Sequence, residues 1–356
     1  MKNIAFVIGS ASDNGGVERV LYNLVSIYQA DNYNITVINL FGGRKEDSFL
    51  KNKNIKFVNL YEARVSLFYW FCYIKKLRKT LLDNDIDLVF DMGSHLSMFS
   101  VPASLCIKTK VISCEHVNLK ASKKNLIIKV LFARFSDKLI TLTNKDKKWY
   151  EKFFLKNVIC IPNFTTISVE NYKPIADRDN TIIAVGRLCY QKSFDRLIDI
   201  WSKSEVKERF TLEIWGGGED RSYLAGKIES LGLNDSCKLM GESSNLEPIY
   251  GNAKCLLMTS RYEGYPMVLI ESLVSGTPII SYNCDTGPEE IIIDGKNGFL
   301  IDEGDDCRFL LALEKYCNDN QLQSKIFEYV VDNNYIYTKE SKVSLWLKLA
   351  NDCIKK

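Results

Sequence analysis

Two segments of this 356-residue sequence open in the same way, with a short apolar run, a glycine and then a helical pattern. The first is residues 4–8, followed by a predicted helix at 17–28. The second is residues 181–186, followed by a predicted helix at 194–203. Short apolar runs alternate with amphipathic stretches, which is typical of a parallel sheet covered by helices. The repeated opening therefore predicts an α/β chain with two Rossmann-like domains and not one long sheet.

The remaining strands divide the chain into domains. They are predicted at 35–40, 55–60, 88–90, 111–114, 139–143 and 158–161, and then at 212–215, 237–240, 255–259 and 278–281. Polar, proline-bearing sequence without periodicity predicts a linker at 166–179. We therefore place an N-terminal domain at 1–165 and a second domain at 180–335. The segment 336–356 contains a predicted helix at 341–354, whose apolar face is expected to pack on the N-terminal domain and carries Val343, Trp346, Leu347 and Ala350.

Two glutamates mark the second half of the chain. Glu263 follows the predicted strand 255–259, and Glu271 lies about two turns along a helix predicted at 268–275. In open α/β sheets, ligands bind at the carboxyl ends of the strands, where Glu263 is expected. Carboxylates accept charge-assisted hydrogen bonds from sugar hydroxyls, and the first amides of a helix bind anions. For two glutamates alone, an ordinary solvated helix would be the alternative.

The segment EGYPMVLIESLVSGTPII, at 263–280, resembles the Glu-x7-Glu motif of glycosyltransferase family 4, and 287–292 and 297–298 also match that pattern. The resemblance covers nearly the whole chain, strongly over 181–300 and loosely over 1–165. It implies the GT-B fold, in which two Rossmann-like domains with parallel sheets face each other across a cleft. It also implies that Glu263 contacts the donor sugar as a catalytic residue and that Glu271 holds the ribose. The same nucleotide-sugar site would include Gly264, Tyr265, Pro266, Met267 and Val268.

Two basic residues follow the strand 181–186. Cations at a strand end can clamp a diphosphate and stabilise the charge that develops on a leaving nucleoside diphosphate. A basic pair in a loop is otherwise commonly only solvated, but the resemblance extends over this GRL…K stretch. We therefore assign Arg187 and Lys192 to the pyrophosphate.

In the N-terminal domain, Gly15 and Gly16 join the first strand to the first helix. Paired glycines allow close backbone approach, although a glycine pair alone is more often a tight turn. The resemblance implies that both glycines lie on the acceptor side and that Gly16 also approaches the donor phosphates. His116, after the strand 111–114, matches the histidine that faces the reacting sugar in related enzymes, so we assign it as catalytic. The glycines lack the third member of a dinucleotide fingerprint, which argues against an NAD oxidoreductase.

The triplet Asp85-Ile86-Asp87 has the D-x-D form that other transferases use to bind a divalent cation. It precedes its strand, so it is expected at the amino edge of the sheet, away from the ligand edge, as a solvated turn. We expect no metal and no cofactor besides the nucleotide-sugar cosubstrate, with cationic side chains and helix dipoles supplying positive charge. The eleven cysteines occur singly, which predicts unpaired thiols.

The net charge of +3 hides an asymmetry, because residues 1–165 carry +11 and the remainder carries −8. The basic half suits phosphate substrates or an anionic membrane surface, whereas no motif accompanies it that would indicate nucleic acid. The aromatic run 65–74 precedes four basic residues within 75–79. It fits either a helix on anionic lipid or a helix buried in the N-terminal domain. Four further lysines favour the membrane: Lys120, Lys123, Lys124 and Lys129.

The chain begins with a strand pattern and not with signal-peptide architecture, and no apolar run approaches the roughly 20 residues of a membrane span. We therefore expect a cytoplasmic protein, either soluble or peripheral on the inner face of the cell membrane.

The resemblance implies a retaining glycosyltransferase that moves a hexose or N-acetylhexosamine from a nucleotide sugar to a glycan. The motif wording resembles bacterial surface-polysaccharide enzymes. That likeness implies a UDP-sugar, a polyprenyl-diphosphate-linked acceptor and a role in O-antigen, capsule or exopolysaccharide synthesis. The family's retention of configuration implies an α-linkage from an α-linked donor. No residue is an obvious covalent nucleophile, so front-side attack assisted by the departing phosphate is expected. A sugar-nucleotide epimerase of the same fold and a non-catalytic sugar-nucleotide-binding protein are the alternatives.

Overall fold

The computed structural model describes residues 1–11, 16–42, 50–51, 53–61, 69–116, 126–153, 157–169 and 171–355, with only the backbone at 127 and 128. Its strands are β1 (Asn3–Ile8), β2 (Asn34–Asn39), β3 (Lys56–Asn59), β4 (Leu88–Met92), β5 (Lys110–Cys114), β6 (Lys138–Thr141), β7 (Val158–Cys160), β8 (Thr181–Val185), β9 (Thr211–Trp215), β10 (Cys237–Gly241), β11 (Cys255–Met258), β12 (Ile279–Asn283) and β13 (Gly298–Asp302). Its helices are α1 (Gly16–Ala30), α2 (Trp70–Asp83), α3 (Ser97–Ser104), α4 (Leu126–Ala133), α5 (Asn144–Glu151), α6 (Phe194–Lys203), α7 (Arg221–Ser230), α8 (Glu247–Asn252), α9 (Met267–Val274), α10 (Pro288–Ile291), α11 (Asp306–Asn318), α12 (Asn320–Asn333) and α13 (Glu340–Ile354).

The chain divides into two compact units, one formed by Met1–Phe164 with Lys339–Lys356 and the other by Thr165–Thr338. Within the described residues, the sheet of the first unit has the order β3-β2-β1-β4-β5-β6-β7, and every pair is parallel. Strands β4 and β5 are buried along almost their whole length, because helices cover both faces of such a sheet. The strand order reverses between β1 and β4. The loops that follow these two strands therefore separate at the carboxyl edge, which is where ligands bind such sheets.

The C-terminal helix α13 packs within the first unit, against α1 and β4. The ring of Trp346 lies 6.1 Å from that of Phe90, and the Tyr28 hydroxyl donates a 2.8 Å hydrogen bond to the Trp346 carbonyl oxygen. Of the face expected to dock, Trp346 and Ala350 are fully buried, and Val343 and Leu347 are half-buried. The helix therefore completes the core over the central strand of its sheet.

The second unit has its own parallel sheet, with the order β10-β9-β8-β11-β12-β13 in the part of the chain that the structure describes. The order reverses between β8 and β11. This is the doubly wound arrangement again, so the loops after β8 and β11 separate at the carboxyl edge. Every strand and helix whose ends were predicted from the sequence is present within two residues of those ends, while the start of the aromatic run 65–74 lies outside the described residues.

The second unit differs from the prediction in its first segment and contains further elements that were not predicted. Residues 166–169 and 171–179, expected as a linker, pack on this unit. Ile175 is buried, and the buried Arg178 guanidinium donates to the Ala253 carbonyl at 2.9 Å and to Thr277 Oγ1 at 2.8 Å. Strand β13 and helices α7, α8, α10, α11 and α12 had not been predicted. No disulfide joins any of the eleven cysteines, all of which lie in the described residues, as expected.

Candidate active site

The reversal of strand order in the second unit brings together two loops at the carboxyl ends of β8 and β11. The loop after β8 contains Arg187 and Lys192, and the loop after β11 contains Glu263. Backbone and side-chain bonds join the two loops: the Arg261 amide donates to the Gln191 carbonyl at 2.8 Å, and Gln191 Nε2 donates to the Tyr262 carbonyl at 3.0 Å. The fold thus holds the residues assigned to the diphosphate and to the sugar against one another.

Lys192 and Glu263 form an ion pair in which Nζ lies 2.7 Å from Oε1. The two side chains are only 17% and 8% exposed, so water screens the pair less than a pair on the surface. The stem of Lys192 lies over Gly186, where an added Cβ would come within 3.0 Å of its Cε. A cation and a carboxylate thus share one shielded position at the end of β8.

The backbone around Glu263 is fixed from the other side by the turn at 286–287. Thr286 Oγ1 donates to the Glu263 carbonyl at 2.6 Å. Gly287 has φ of +95°, and a Cβ at this position would lie 2.7 Å from Pro266 Cδ and 2.8 Å from the Gly264 carbonyl oxygen. Only glycine allows this close approach. Gly287, the first residue of the segment 287–292 that matches the family pattern, therefore packs against the loop that carries Glu263.

Arg187 is in a different environment from Lys192. Its guanidinium is 73% exposed and pairs with the similarly open Glu219, Nη2 to Oε2, at 3.2 Å. A backbone hydrogen bond, with Arg187 as a further cause, lowers the pKa of the Glu219 carboxyl. Water screens an exposed pair of this kind, so Arg187 can leave Glu219 for an anionic ligand at little cost.

A glycine-rich loop that the sequence analysis did not single out follows β9. Gly216 has φ of +141°, and a Cβ there would lie 2.0 Å from the Gly186 carbonyl oxygen. The Leu188 amide also donates to the Gly217 carbonyl at 2.8 Å. The loop after β9 therefore packs directly on the loop that carries Arg187. Three successive glycines after a predicted strand, 216–218, were the available signal.

Glu271 and the start of α9 form the rest of the motif. Glu271 is buried in α9, and the Tyr250 hydroxyl donates to its Oε2 at 2.9 Å. The residues between the two glutamates lie at the N-terminus of this helix; Tyr265, Pro266 and Met267 are buried, and Gly264 and Val268 are half-buried. The amides of the first helical turn are the groups that favour an anion or a hydroxyl.

Two of the residues assigned in the first unit lie in the described part of the chain. Gly16 begins α1, whereas Gly15 lies outside the described residues. His116 directly follows β5 and Glu115; its two ring nitrogens are shielded from solvent, and neither has a hydrogen-bond partner among the described residues. Burial lowers the pKa of His116 to about 4, so the ring is neutral at physiological pH. Such a ring can donate one hydrogen bond and accept another.

The D-x-D triplet lies at the amino end of β4, as expected. Lys108 Nζ contacts both carboxylates, at 2.8 Å for Asp85 and 2.9 Å for Asp87. Over the described ranges, no group of three or more histidine, cysteine, aspartate or glutamate side chains is arranged to hold a metal ion.

The structure supports only some of the features that favoured a membrane surface. The expectation that Lys129 is a surface cation is wrong, because Lys129 is buried and its Nζ lies 3.3 Å from Glu115 Oε1. The alternative of a buried helix is wrong for part of the aromatic run. Phe71 is 70% exposed and Tyr69 is also exposed, while Tyr73 is buried. Residues 62–68 lie outside the described part of the chain, as do Lys120, Lys123 and Lys124. No helix in the described ranges is long and apolar enough to cross a bilayer.

Comparison with known proteins identifies relatives along the whole chain. Residues 169–331 match the glycosyl transferases group 1, and residues 14–168 match Glycosyltransferase Family 4. The amylovoran biosynthesis glycosyltransferase AmsD of Erwinia amylovora is 31% identical over 363 residues, covering 99% of this chain and 100% of that protein. A GalNAc-alpha-(1->4)-GalNAc-alpha-(1->3)-diNAcBac-PP-undecaprenol alpha-1,4-N-acetyl-D-galactosaminyltransferase of Campylobacter jejuni is 28% identical over 366 residues, covering 98% of each.

Solved structures share the fold over the full length. Anabaena HepE, in complex with UDP and glucose, matches with a TM-score of 0.83 at 18% identity, covering 99% of this chain and 100% of that one. The predicted GT-B fold is thereby confirmed.

Proposed function

The chain belongs to glycosyltransferase family 4, and on that basis we propose that it moves a hexose or N-acetylhexosamine from a UDP-sugar to a glycan acceptor with retention of anomeric configuration. The observation that carries this proposal is the shielded Lys192–Glu263 pair where the strand order of the donor-side sheet reverses. A nucleotide sugar has a diphosphate that needs cations and hydroxyls that suit a carboxylate. The pair presents one of each group within 2.7 Å.

The proposed division of roles follows from burial and exposure. Lys192, with its stem fixed over Gly186, and Arg187, which is free to leave Glu219, stabilise the charge that grows on the departing diphosphate. Glu263 accepts hydrogen bonds from the sugar, and Glu271 accepts them from the ribose. His116 faces the reacting sugar as a neutral ring. No covalent intermediate is required, because the acceptor oxygen attacks on the face from which the diphosphate leaves, and the protein positions the reactants.

Relatives support the choice of donor and acceptor. The matched Anabaena structure holds UDP and glucose, and the Campylobacter relative is named for transfer to an undecaprenol-diphosphate-linked glycan. We extend both features to this chain: a UDP-sugar donor, and a polyprenyl-diphosphate-linked acceptor in the synthesis of O-antigen, capsule or exopolysaccharide. An α-linked donor then gives an α-glycoside.

A lipid-linked acceptor requires access to a membrane surface, and α2 with α4 offers one. The two helices are neighbours, since the rings of Trp70 and Phe132 lie 6.5 Å apart. Phe71 and Phe135 are both exposed. Lys75, Lys79 and Arg134 add cations on and beside the same two helices. Exposed aromatic rings among cations fit the interface of an anionic bilayer.

Vesicle co-sedimentation tests this surface. The wild type should sediment with anionic vesicles at low salt and not with neutral ones, and Phe71→Glu should weaken that binding because it removes an apolar anchor and adds a negative charge. Leu311→Glu, at an exposed apolar residue of the second unit, is the matched control and should sediment like the wild type. Absence of wild-type binding to anionic vesicles would reject the membrane surface.

The reaction itself is tested by incubating the protein with a panel of UDP-sugars and a polyprenyl-diphosphate-linked glycan, and by recording the anomeric coupling of the product by NMR. We expect UDP release that depends on the acceptor and an α-anomeric product. A β-anomeric product from an α-linked donor would refute retention. The absence of transfer and of hydrolysis from every UDP-sugar would refute the proposed reaction.

A further inference from the structure

Four polar side chains of the first unit meet in its interior around one carboxylate. Glu115 directly follows β5, Ser94 begins a short 3-10 turn after β4, and Lys129 and Tyr150 come from α4 and α5. Each of the four residues is at most 3% exposed. The cluster has no part in the chemistry proposed above, so its presence in the core needs another explanation.

The Glu115 carboxylate is the acceptor for the other three members. The Tyr150 hydroxyl donates to Oε2 at 2.7 Å, and Ser94 Oγ donates to the same oxygen. Lys129 Nζ lies 3.3 Å from Oε1 and 3.4 Å from Oε2. The backbone amide of Glu115 donates to the Ile140 carbonyl of β6 at 2.8 Å. Both the side chain and the main chain of Glu115 are therefore fixed.

A buried ion pair adds little to stability. Removing two charges from water costs about as much as their mutual attraction returns, and apolar side chains of similar volume commonly stabilise such a position equally well or better. What the pair does supply is geometric definition, because each donor has one place in which it satisfies the carboxylate. Three donors from three different elements define the position of residue 115 with respect to β4, α4 and α5.

His116 is the next residue, and within the described part of the chain its ring has no hydrogen bonds of this kind. Its two ring nitrogens are shielded from solvent and make no hydrogen bond to any residue in the described ranges. The backbone that leaves Glu115 sets where the Cα and Cβ atoms of His116 lie. We propose that Glu115, held by Ser94, Lys129 and Tyr150, is a positioning residue that places the His116 ring for the transferred sugar. This role rests on the function proposed above.

The two histidines of the chain allow a direct test that does not depend on activity. Untagged protein with 15N-labelled imidazoles gives signals from His95 and His116, and the His95→Gln variant assigns them. Glu115→Gln keeps the shape of the side chain but removes its charge. In this variant the His116 ring signals should shift and broaden, and kcat should fall about tenfold or more while KM for the UDP-sugar changes less than about twofold. Lys129→Met should behave in the same way, and Lys129→Arg, which keeps the charge, should retain most of kcat.

Ile86→Ala is the control for stability alone. Ile86 is buried next to the amino end of β4, at the opposite edge of the sheet from the cluster. It should lower the thermal midpoint and leave both kcat and the His116 signals unchanged. If Glu115→Gln leaves the His116 signals and kcat unaltered, or if Ile86→Ala alters them as much at an equal loss of midpoint, the positioning role is wrong.

The ring signals also separate the two proposals. If His116→Ala keeps the wild-type kcat, the catalytic assignment of His116 fails, whereas the effect of Glu115→Gln on the ring signals still decides whether Glu115 positions that ring.

Discussion

The neutral state of His116 has a measurable consequence for the pH dependence of stability. Burial lowers its pKa from 6.5 to about 4; Glu115 opposes that shift and His95 adds to it. Because the folded pKa is depressed, the ring contributes stability that is present above pH 6.5 and is lost as the pH falls towards 4. At pH 5.0 the unfolded histidine is protonated and the folded one is not. The loss between pH 7.5 and 5.0 is therefore about 2 kcal/mol, at about 1.36 kcal/mol per pKa unit.

A second buried group acts in the opposite direction and would hide this loss in the wild type alone. Asp91, whose carboxyl accepts a hydrogen bond from Ser100, has its pKa raised by burial to about 7. Its folded form takes up a proton as the pH falls from about 7 to about 5 while the unfolded form stays ionised. Asp91 therefore increases stability over that range by roughly 3 kcal/mol. The test must compare two proteins that both retain Asp91.

The perturbation is His116→Gln, which keeps hydrogen-bonding capacity and cannot titrate. The free energy of unfolding is measured by urea titration at pH 7.5 and at pH 5.0, with amide exchange of a peptide that covers β5 as the readout, so that the value belongs to the first unit. We expect acidification to cost the wild type about 2 kcal/mol more than it costs His116→Gln. His95, whose pKa burial also lowers, is retained in both proteins, so its own titration contributes to both. An equal change in the wild type and in His116→Gln would refute the conclusion that burial holds this ring neutral.

Three further predictions concern the donor site, the C-terminal helix and metal. Lys192→Met should lower kcat/KM about 10²- to 10³-fold, because it removes one stabilising cation and leaves Glu263 buried without its partner; steady-state kinetics measure this. Lys227→Met is its matched control, since the Lys227–Asp199 pair of α7 and α6 has the same 2.7 Å separation and a similarly buried lysine; equal losses in the two variants would contradict the role of Lys192. Trp346→Ala should lower the free energy of unfolding of the first unit by about 3–5 kcal/mol, as urea titration with exchange of a β4 peptide would show, and a loss below about 1 kcal/mol would mean that α13 does not complete this core. Turnover should persist in excess EDTA, because cationic side chains supply the charge; complete loss of turnover, restored by Mg²⁺ or Mn²⁺, would overturn that prediction.

Much of the fold was predictable because local and global patterns agree. Strands buried on both faces form continuous apolar runs, and a glycine directly follows β4 and β8, so the ends of these two strands follow from short-range sequence. Strand β13 was missed because it begins at Gly298 and ends at Asp302, both poor strand residues. Gly298 is there for packing: a Cβ would lie 2.1 Å from the Ile279 carbonyl oxygen. That requirement comes from the neighbouring strand and has no local signature.

The site was predictable in its composition and not in its pairings. The motif identified Glu263 and the basic loop identified Lys192, but no sequence pattern shows that these two side chains contact each other across 71 residues. Glu219 was missed because the role of an exposed carboxylate depends on the cation beside it. Lys129 was misassigned because its charge was counted with the surface. A single lysine within the apolar stretch 126–132 was the available signal for burial with a partner.

The central claim, that the second unit binds a UDP-sugar through its basic loop and its two glutamates, is tested most directly by the thermal midpoint in the presence of UDP, GDP, ADP or NAD. A ligand that binds only the folded protein stabilises it by about 2.7 kcal/mol at about a hundred times its Kd. We predict that UDP raises the midpoint of the wild type and of Lys227→Met, and that the shift disappears in Arg187→Ala and Glu271→Ala. A shift with GDP alone would contradict the choice of donor, and no shift with any nucleotide would contradict the donor site itself.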